Sequence, residues 1–212
     1  SAASSGYQAV LPLSLITRFL SDLVLDNANK EDLSIKEKKQ IEKEVNKVMN
    51  DKSLTDGVKF AMLRNISSRF KYSCFVNIVE EMELNLYPES QRSVLFDLLS
   101  YANKIELNRL VLTTHSPYVI NYLTLAAKAF LLTQKISANE TLQERIKEVV
   151  PADSAIDPAR LRIYELKDGG VFRLSTYEGL PSDENFLNIQ LGVTNELFDQ
   201  LLEIEQEFDY KN

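Results

Sequence analysis

The sequence predicts an α/β fold in which a small parallel sheet is flanked by helices. Two short apolar segments, residues 74–79 and 110–112, have the length and the bulky, often β-branched composition of buried strands. Apolar residues with helical spacing fill residues 10–23, 58–70 and 117–135. Strand-like and helix-like segments in one chain of this size indicate a single domain with mixed secondary structure.

The first predicted strand ends abruptly in two adjacent carboxylates, Glu80 and Glu81. In open α/β sheets, ligands bind at the carboxyl ends of the strands, so acids at this position indicate a chemical site. Paired glutamates after a strand are also common as the polar start of a loop. The motif by itself therefore leaves both interpretations open.

The second predicted strand leads into residues 113–117, TTHSP, which contain the single histidine of the chain, His115. Parallel neighbouring strands would bring His115 to the same sheet edge as Glu80 and Glu81. A lone histidine is also often a structural residue whose ring is satisfied inside the fold. The parallel arrangement is thus the feature on which a functional interpretation depends.

A turn of small residues, Ser4-Ser5-Gly6, precedes the helical pattern that starts at Val10. The backbone N–H groups at a helix N-terminus are free and attract phosphate. Serine is also a frequent helix cap where no ligand binds.

In order, spacing and chemistry, these segments resemble the C-terminal half of an ABC-type ATPase, in the branch of SMC-like, RecF-like and overcoming-lysogenization-defect-like AAA proteins. Residues 4–8, SSGYQ, are similar to the signature motif, residues 74–88 to the Walker B strand and D-loop, and residues 113–117 to the histidine switch. Tyr7 stands where the signature usually has its second glycine, and Met82 where a proline commonly follows the two acids. The resemblance implies a P-loop NTPase-like sheet of the ABC class, flanked by helices, whose C-terminal lobe is formed by residues 1–212.

The resemblance implies that the cofactors are ATP and Mg²⁺. Glu80 would hold Mg²⁺ through a water, since this ion prefers oxygen ligands and retains several waters. Glu81 would orient or deprotonate the attacking water, and His115 would contact the γ-phosphate.

The resemblance also implies that two copies share each ATP. Ser5, Gly6 and Gln8 of the signature would reach the nucleotide held by the opposite subunit, so that ATP joins a homodimer. Asn85, in the D-loop region, would lie at the same subunit junction.

The sequence contains no P-loop, G-x-x-x-x-G-K-[ST], around any of its six glycines. Without that loop and its lysine, nothing obvious in the chain cradles the β- and γ-phosphates. We therefore expect the chain alone to be inactive and to require an N-terminal P-loop lobe. That lobe would belong to a longer protein or, in the less favoured version, to a separate chain of a split ATPase.

Composition narrows the function classes. The formal net charge of −7 argues against this chain as the main nucleic-acid surface, so nucleic-acid contacts would lie on the missing part. Cys74 is the only cysteine, which excludes an internal disulfide and Cys/His metal clusters. We expect no apolar stretch as long as the roughly 20 residues that span a bilayer. The chain is therefore expected to have no membrane partner and to lie in the cytoplasm.

The remaining segments predict further helices and one hairpin. Residues 26–56 predict a charged helical insertion, in which Ser34 is the helix cap and Lys38 stands where a capping box has Glu. This insertion is interpreted as a lid, a partner-docking element, a stub of the arms of SMC-like proteins, or a solvated helix of the domain. The next helix, residues 58–70, would direct Phe60, Leu63 and Ile66 to the core. Further predictions are a helix at 138–150, a hairpin of 161–166 with 171–174, and an acidic helix at 195–208.

The resulting functional expectation is an ATPase whose ATP-driven dimerisation is coupled to DNA repair or antiviral defence, in some cases through an effector protein. A catalytically idle module that regulates a nuclease or another effector is the alternative. A metal-dependent nuclease using Glu80, Glu81 and Glu83 is less favoured, because side chains at alternating strand positions point to opposite faces. An ABC transporter subunit is also less favoured, because residues 80–88 do not resemble transporter sequence.

Overall fold

The computed structural model describes residues 5–29, 34–69 and 73–211, and the fold is mixed α/β as predicted. The described helices are α1 (Ser5–Asn29), α2 (Ile35–Asn50), α3 (Asp56–Arg69), α4 (Pro88–Asn103), α5 (Pro117–Lys135), α6 (Glu140–Val149) and α7 (Phe186–Lys211). The described strands are β1 (Val76–Glu80), β2 (Arg109–Thr113), β3 (Tyr164–Lys167), β4 (Gly170–Arg173), β5 (Thr176–Tyr177) and β6 (Leu180–Pro181). They form three separate two-stranded sheets.

Strands β1 and β2 are parallel neighbours, in a register that runs from Val76 opposite Arg109 to Glu80 opposite Thr113. This pairing confirms the central structural prediction, because both strands end at the same edge. Helix α4 crosses between them and was not predicted from the sequence. Its first residue, Pro88, suits a helix start because proline has no N–H to leave unpaired there.

The core lies between α4, α5 and one face of the β1–β2 sheet. Leu95 of α4 and Val119 and Ala126 of α5 are fully buried, and Val79 reaches the same cluster from β1. The bounds and the buried face of α5 agree with the predicted helix at 117–135. The sheet edge with its polar residues is thus supported by a packed two-helix layer.

Helix α1 packs on α4 and is tied to the sheet and to α4 by polar contacts. Asn77 of β1 donates to the hydroxyl of Thr17 at 3.0 Å, and Lys104 contacts the Asp22 carboxylate at 2.8 Å. The hydrogen bond from Lys104 holds the pKa of Asp22 below its usual range. Helix α1 is long and apolar enough to cross a membrane, contrary to the sequence expectation, yet these contacts favour a helix of the folded domain.

The predicted insertion consists mainly of α2, which packs against α3 as a helical hairpin. Ser34 caps α2 in a complete capping box, in which the Glu37 carboxylate accepts from the Ser34 N–H at 2.8 Å. The box residue is therefore Glu37, three positions after the cap, and the assignment to Lys38 was wrong. Phe60 was also misplaced, since it is 72% exposed, whereas Ile66 is buried as predicted.

The C-terminal elements largely follow the sequence predictions. Helix α6 lies within the predicted range, and β3 and β4 form the predicted hairpin, closed by Asp168 and Gly169 at positive φ. Helix α7 begins at Phe186, well before the predicted start at 195. Asn185 explains the earlier start, because its side-chain oxygen accepts the Asn188 N–H at 3.1 Å as a helix cap.

Asp97 of α4 gives a prediction about stability and pH. Burial, followed by the nearby charge of Asp153, raises the pKa of Asp97, so the folded state binds its proton more tightly than the unfolded state. At pH values above the folded-state pKa, the charged Asp97 therefore lowers the free energy of unfolding. This destabilisation decreases as the pH falls and is lost near pH 3.8, the pKa of the group in the unfolded state.

We expect Asp97→Asn to stabilise the chain at pH 7 by up to about 1 kcal/mol, a modest gain because solvent screens the partly exposed carboxylate. The gain should disappear near pH 4 in urea unfolding followed by circular dichroism. Asp51→Asn is the control with the opposite sign, because hydrogen bonds from Ser53 lower the pKa of Asp51. A gain from Asp97→Asn that is equal at both pH values would contradict this account.

Candidate functional site

Glu81 and His115 meet at the carboxyl edge of the β1–β2 sheet. The Glu81 N–H donates to the Thr113 carbonyl at 2.9 Å, which extends the strand pairing by one residue. The Glu81 Oε1 atom then lies 3.5 Å from Nε2 of His115. The two side chains are 41% and 83% exposed, so both remain accessible to a ligand. The strands place these residues together as expected, and the chemical roles assigned to them remain predictions.

The turn after β1 has an unusual backbone. Glu81 and Asn85 adopt positive φ angles of 47° and 59°, a region that residues other than glycine seldom occupy. The Leu84 N–H donates to the Glu81 carbonyl at 3.0 Å, and Met82 is buried in the core below the turn. Backbone strain of this kind persists where the surrounding structure holds it, often at functional sites. The turn directs the Glu81 carboxylate toward His115.

Glu83 links this turn to the histidine segment. Its Oε1 atom accepts the backbone N–H of His115 at 2.6 Å, a short hydrogen bond of the charge-assisted kind. Its Oε2 atom is buried and has no hydrogen-bond partner among the residues described. From the sequence, Glu83 was only a candidate nuclease ligand, because nothing there relates it to a backbone amide 32 residues away.

A second, buried link joins the two segments. The Ser116 hydroxyl donates to the side-chain oxygen of Gln91 at 2.7 Å, and the Gln91 side-chain amide donates to the Leu86 carbonyl at 3.0 Å. Both side chains lie in the interior, where an unmade hydrogen bond is costly. The chain from 113 to 117 is therefore fixed against the start of α4. This pair was not predicted, since a glutamine one turn into a helix carries no distinguishing sequence signal.

The predicted signature lies at the start of α1, beside the same turn. Ser4 is outside the described residues, Ser5 and Gln8 are exposed, and Gly6 is buried. A Cβ atom at Gly6 would lie 2.5 Å from the backbone oxygen of Asn85, so only glycine permits this approach. Gly6 and Asn85, assigned to two different motifs, thus contact each other within one chain.

Glu80 points to the opposite face of the sheet from Val79, because side chains alternate along a strand. It is exposed at the strand end, and no group of three or more acidic, His or Cys side chains suited to a metal occurs among the residues that the structure describes. Mg²⁺ is usually bound in proteins by one or two carboxylates together with phosphate oxygens and water. A single exposed carboxylate such as Glu80 does not form an independent metal centre, and its role toward a nucleotide-borne Mg²⁺ stays a prediction.

The face of the sheet opposite the core is left open by the residues that the structure describes. Val76 and Ile78 are 60% and 67% exposed, and Val111 of β2 is exposed beside them. Parallel sheets are normally covered on both faces, so an open apolar face on a two-stranded parallel sheet is exceptional. The edge that carries Glu81 and His115 thus belongs to a sheet with one open side.

The chain was compared with protein-family models, with curated proteins and with solved structures, and none of these comparisons gave a match. Function is therefore inferred from the geometry at the sheet edge and from the order of the sequence motifs.

Proposed function

We propose that this chain is the C-terminal half of an ABC-type ATPase, with a P-loop NTPase-like fold, that binds ATP and Mg²⁺ and hydrolyses ATP once a P-loop lobe completes it. The observation that carries the proposal is the approach of Glu81 and His115, 3.5 Å apart at the shared carboxyl end of two parallel strands. This edge is where open α/β sheets bind ligands. A glutamate and a histidine so placed match the base and the γ-phosphate contact of such an ATPase.

In this proposal Glu81 is the general base. Its carboxylate would orient the attacking water and accept a proton from it, while the His115 Nε2 atom beside it would donate to the γ-phosphate. Phosphoryl transfer is catalysed mainly by positioning and electrostatic stabilisation. The hydrogen bond between the Glu81 N–H and Thr113, which fixes the distance between the two loops, supports this assignment. Glu80 would supply an oxygen toward Mg²⁺ through a water, and the metal would neutralise charge on the phosphates.

The partner required by this proposal is a lobe that carries the P-loop and further strands. The exposed apolar face formed by Val76, Ile78 and Val111 favours a partner that covers a sheet. Leu15, Ile16 and Phe19 of α1 are further exposed apolar side chains that a partner could cover. We call the chain together with this lobe, on one polypeptide or two, the completed ATPase.

We propose that ATP binding joins two copies of the completed ATPase into a homodimer. Exposed Ser5 and Gln8 at the start of α1 would face the nucleotide of the opposite subunit, because the N-terminus of a helix favours phosphate. Asn85, which touches Gly6 through its backbone, would transmit that contact to the turn of Glu81. DNA repair or antiviral defence in the cytoplasm, with an effector protein as a further partner, is the setting that the family resemblance favours. Nucleic acid would contact the lobe, because this chain is acidic.

The experiment that tests the proposal measures ATP hydrolysis by the completed ATPase with and without Mg²⁺. We expect turnover only with the metal and only when both halves are present. Nucleotide binding without turnover would instead support the idle regulatory module. Metal-dependent cleavage of DNA without nucleotide, lost in Glu80→Ala, would support the nuclease and contradict the proposal.

A further inference from the structure

We propose that Glu83 is the positioning residue of His115: it holds the backbone of the histidine segment so that the imidazole stays against Glu81. This inference rests on the proposed function for its catalytic consequence, although the contact itself can be tested in this chain alone. Glu83 does not reach the reacting atoms in the proposal and acts through His115.

The imidazole of His115 has few contacts of its own. The ring of His115 is 83% exposed and is therefore not fixed by packing. Its position depends on the backbone at 115, where the N–H group donates to Glu83 at 2.6 Å. The neighbouring Ser116 N–H turns back to the Thr114 hydroxyl at 3.0 Å, so it provides no link across to the Glu81 turn. The turn is joined to the histidine segment at Thr113 by the Glu81 N–H and at Ser116 through Gln91. Glu83 supplies the link at residue 115 itself.

The turn that carries Glu83 also carries Glu81, so this link acts on the distance between Glu81 and His115. Glu83 lies two residues after Glu81, and its carbonyl accepts the Leu86 N–H at 3.0 Å, which closes the turn behind it. One short segment therefore presents the Glu81 carboxylate to the imidazole and the Glu83 carboxylate to the amide of the same histidine. Two contacts from one turn fix the distance between Glu81 and His115 more closely than the contact between their side chains alone.

The second oxygen of Glu83 indicates that this placement serves function more than stability. A buried carboxylate oxygen without a partner among the described residues costs free energy, and a stability-driven sequence would replace it. Residues that break this rule concentrate at functional sites. Glutamine would keep an oxygen for the His115 amide, whereas alanine would remove it, so the two variants separate the contact from the charge.

The first test observes the contact directly by ¹⁵N–¹H correlation NMR. Because the chain has one histidine, selective ¹⁵N-histidine labelling gives one backbone cross-peak, that of His115. We expect this amide proton to resonate downfield in the wild type and to move upfield in Glu83→Ala, with hydrogen exchange faster by roughly tenfold to a hundredfold, as for a lost hydrogen bond to a charged group. Glu83→Gln should remain close to the wild type.

Glu89→Ala is the matched control, since Glu89 is an exposed glutamate of α4 a few residues further along the chain. It should leave the cross-peak unchanged. An unshifted cross-peak in Glu83→Ala, in a chain whose circular dichroism matches the wild type, would overturn the inference. If Glu83→Ala fails to fold, the His115 cross-peak of Glu83→Gln is the deciding measurement. A cross-peak far from the wild-type position in that variant would contradict the inference.

The second test separates positioning from mere structural support in the completed ATPase. Glu83→Ala should lower kcat by roughly tenfold to a hundredfold with little change in KM for ATP, because a displacement of about an ångström affects the reaction more than binding. Glu83→Gln should restore most of kcat. Equal losses in both variants, or a change confined to KM, would contradict a positioning role. Absence of turnover in the wild type would defeat the proposed function, while the NMR result would still decide the contact.

Discussion

Glu81→Gln is expected to reduce ATP hydrolysis by the completed ATPase by about 10²–10⁴-fold, the usual contribution of a general base. Glutamine has nearly the same shape but cannot accept a proton at neutral pH. The backbone bond between the residue-81 N–H and Thr113 does not involve the side chain, so the turn should persist. ATP should still bind, and the dimer that it joins should live longer because the nucleotide is not consumed. Phosphate release and analytical ultracentrifugation with ATP measure the two effects.

Glu89→Gln provides the matched control for Glu81→Gln. It makes the same chemical change at an exposed glutamate in the first turn of α4, a few residues beyond the site. Its hydrolysis should stay within about twofold of the wild type, as for surface substitutions with small effects. Turnover that survives in Glu81→Gln would show that another group accepts the proton, and would remove Glu81 from the mechanism.

Gly6→Ala is expected to cost roughly 1–3 kcal/mol of stability, the range for inserting a methyl group into a well-packed site. The new Cβ atom would lie 2.5 Å from the Asn85 backbone oxygen and 3.0 Å from Leu86 Cδ2, so α1 or the turn must shift. Because Asn85 belongs to the turn that begins at Glu81, hydrolysis by the completed ATPase should fall as well. Urea unfolding and the ATPase rate report the two consequences.

Gly57→Ala is a closely matched control, because Gly57, like Gly6, is the second residue of an α-helix. A Cβ atom there meets nothing within 4 Å. Alanine should therefore stabilise the chain by about 0.5–1 kcal/mol through its better helix propensity. If Gly6→Ala behaved like Gly57→Ala, the close approach of α1 to the Asn85 turn would be refuted.

Local patterns were sufficient to predict the elements that form the sheet edge. The β-branched run before Glu80 and the apolar run before Thr113 predicted two strands, and both occur, parallel and in register. The turn at Asp168 and Gly169 was also predictable, because few residue types accept positive φ at both positions. These features depend on short-range chemistry that the sequence displays directly.

Features that depend on distant contacts were not predictable in this way. Gly6 and Asn85 are almost 80 residues apart in the sequence. Glu83 follows β1 and accepts from the amide of His115, which follows β2, 32 residues later. Phe60 was predicted to be buried because its spacing fits a core face, yet α3 packs mainly on α2 and leaves it exposed. Periodicity identifies an apolar face but does not establish that anything covers it.

The most direct test of the central claim is complementation between two inactive variants of the completed ATPase. Glu81→Gln would disable the proposed base of one subunit, and Ser5→Arg would block the exposed signature proposed to face the nucleotide of the other. In a mixed dimer, one of the two sites would combine an intact Glu81 with an intact Ser5. We predict that each variant alone is inactive and that an equal mixture recovers about a quarter of the wild-type rate, from random pairing in a twofold dimer. A mixture that stays inactive, or a Ser5→Arg variant that is active alone, would contradict an ATP site shared between two copies of this chain.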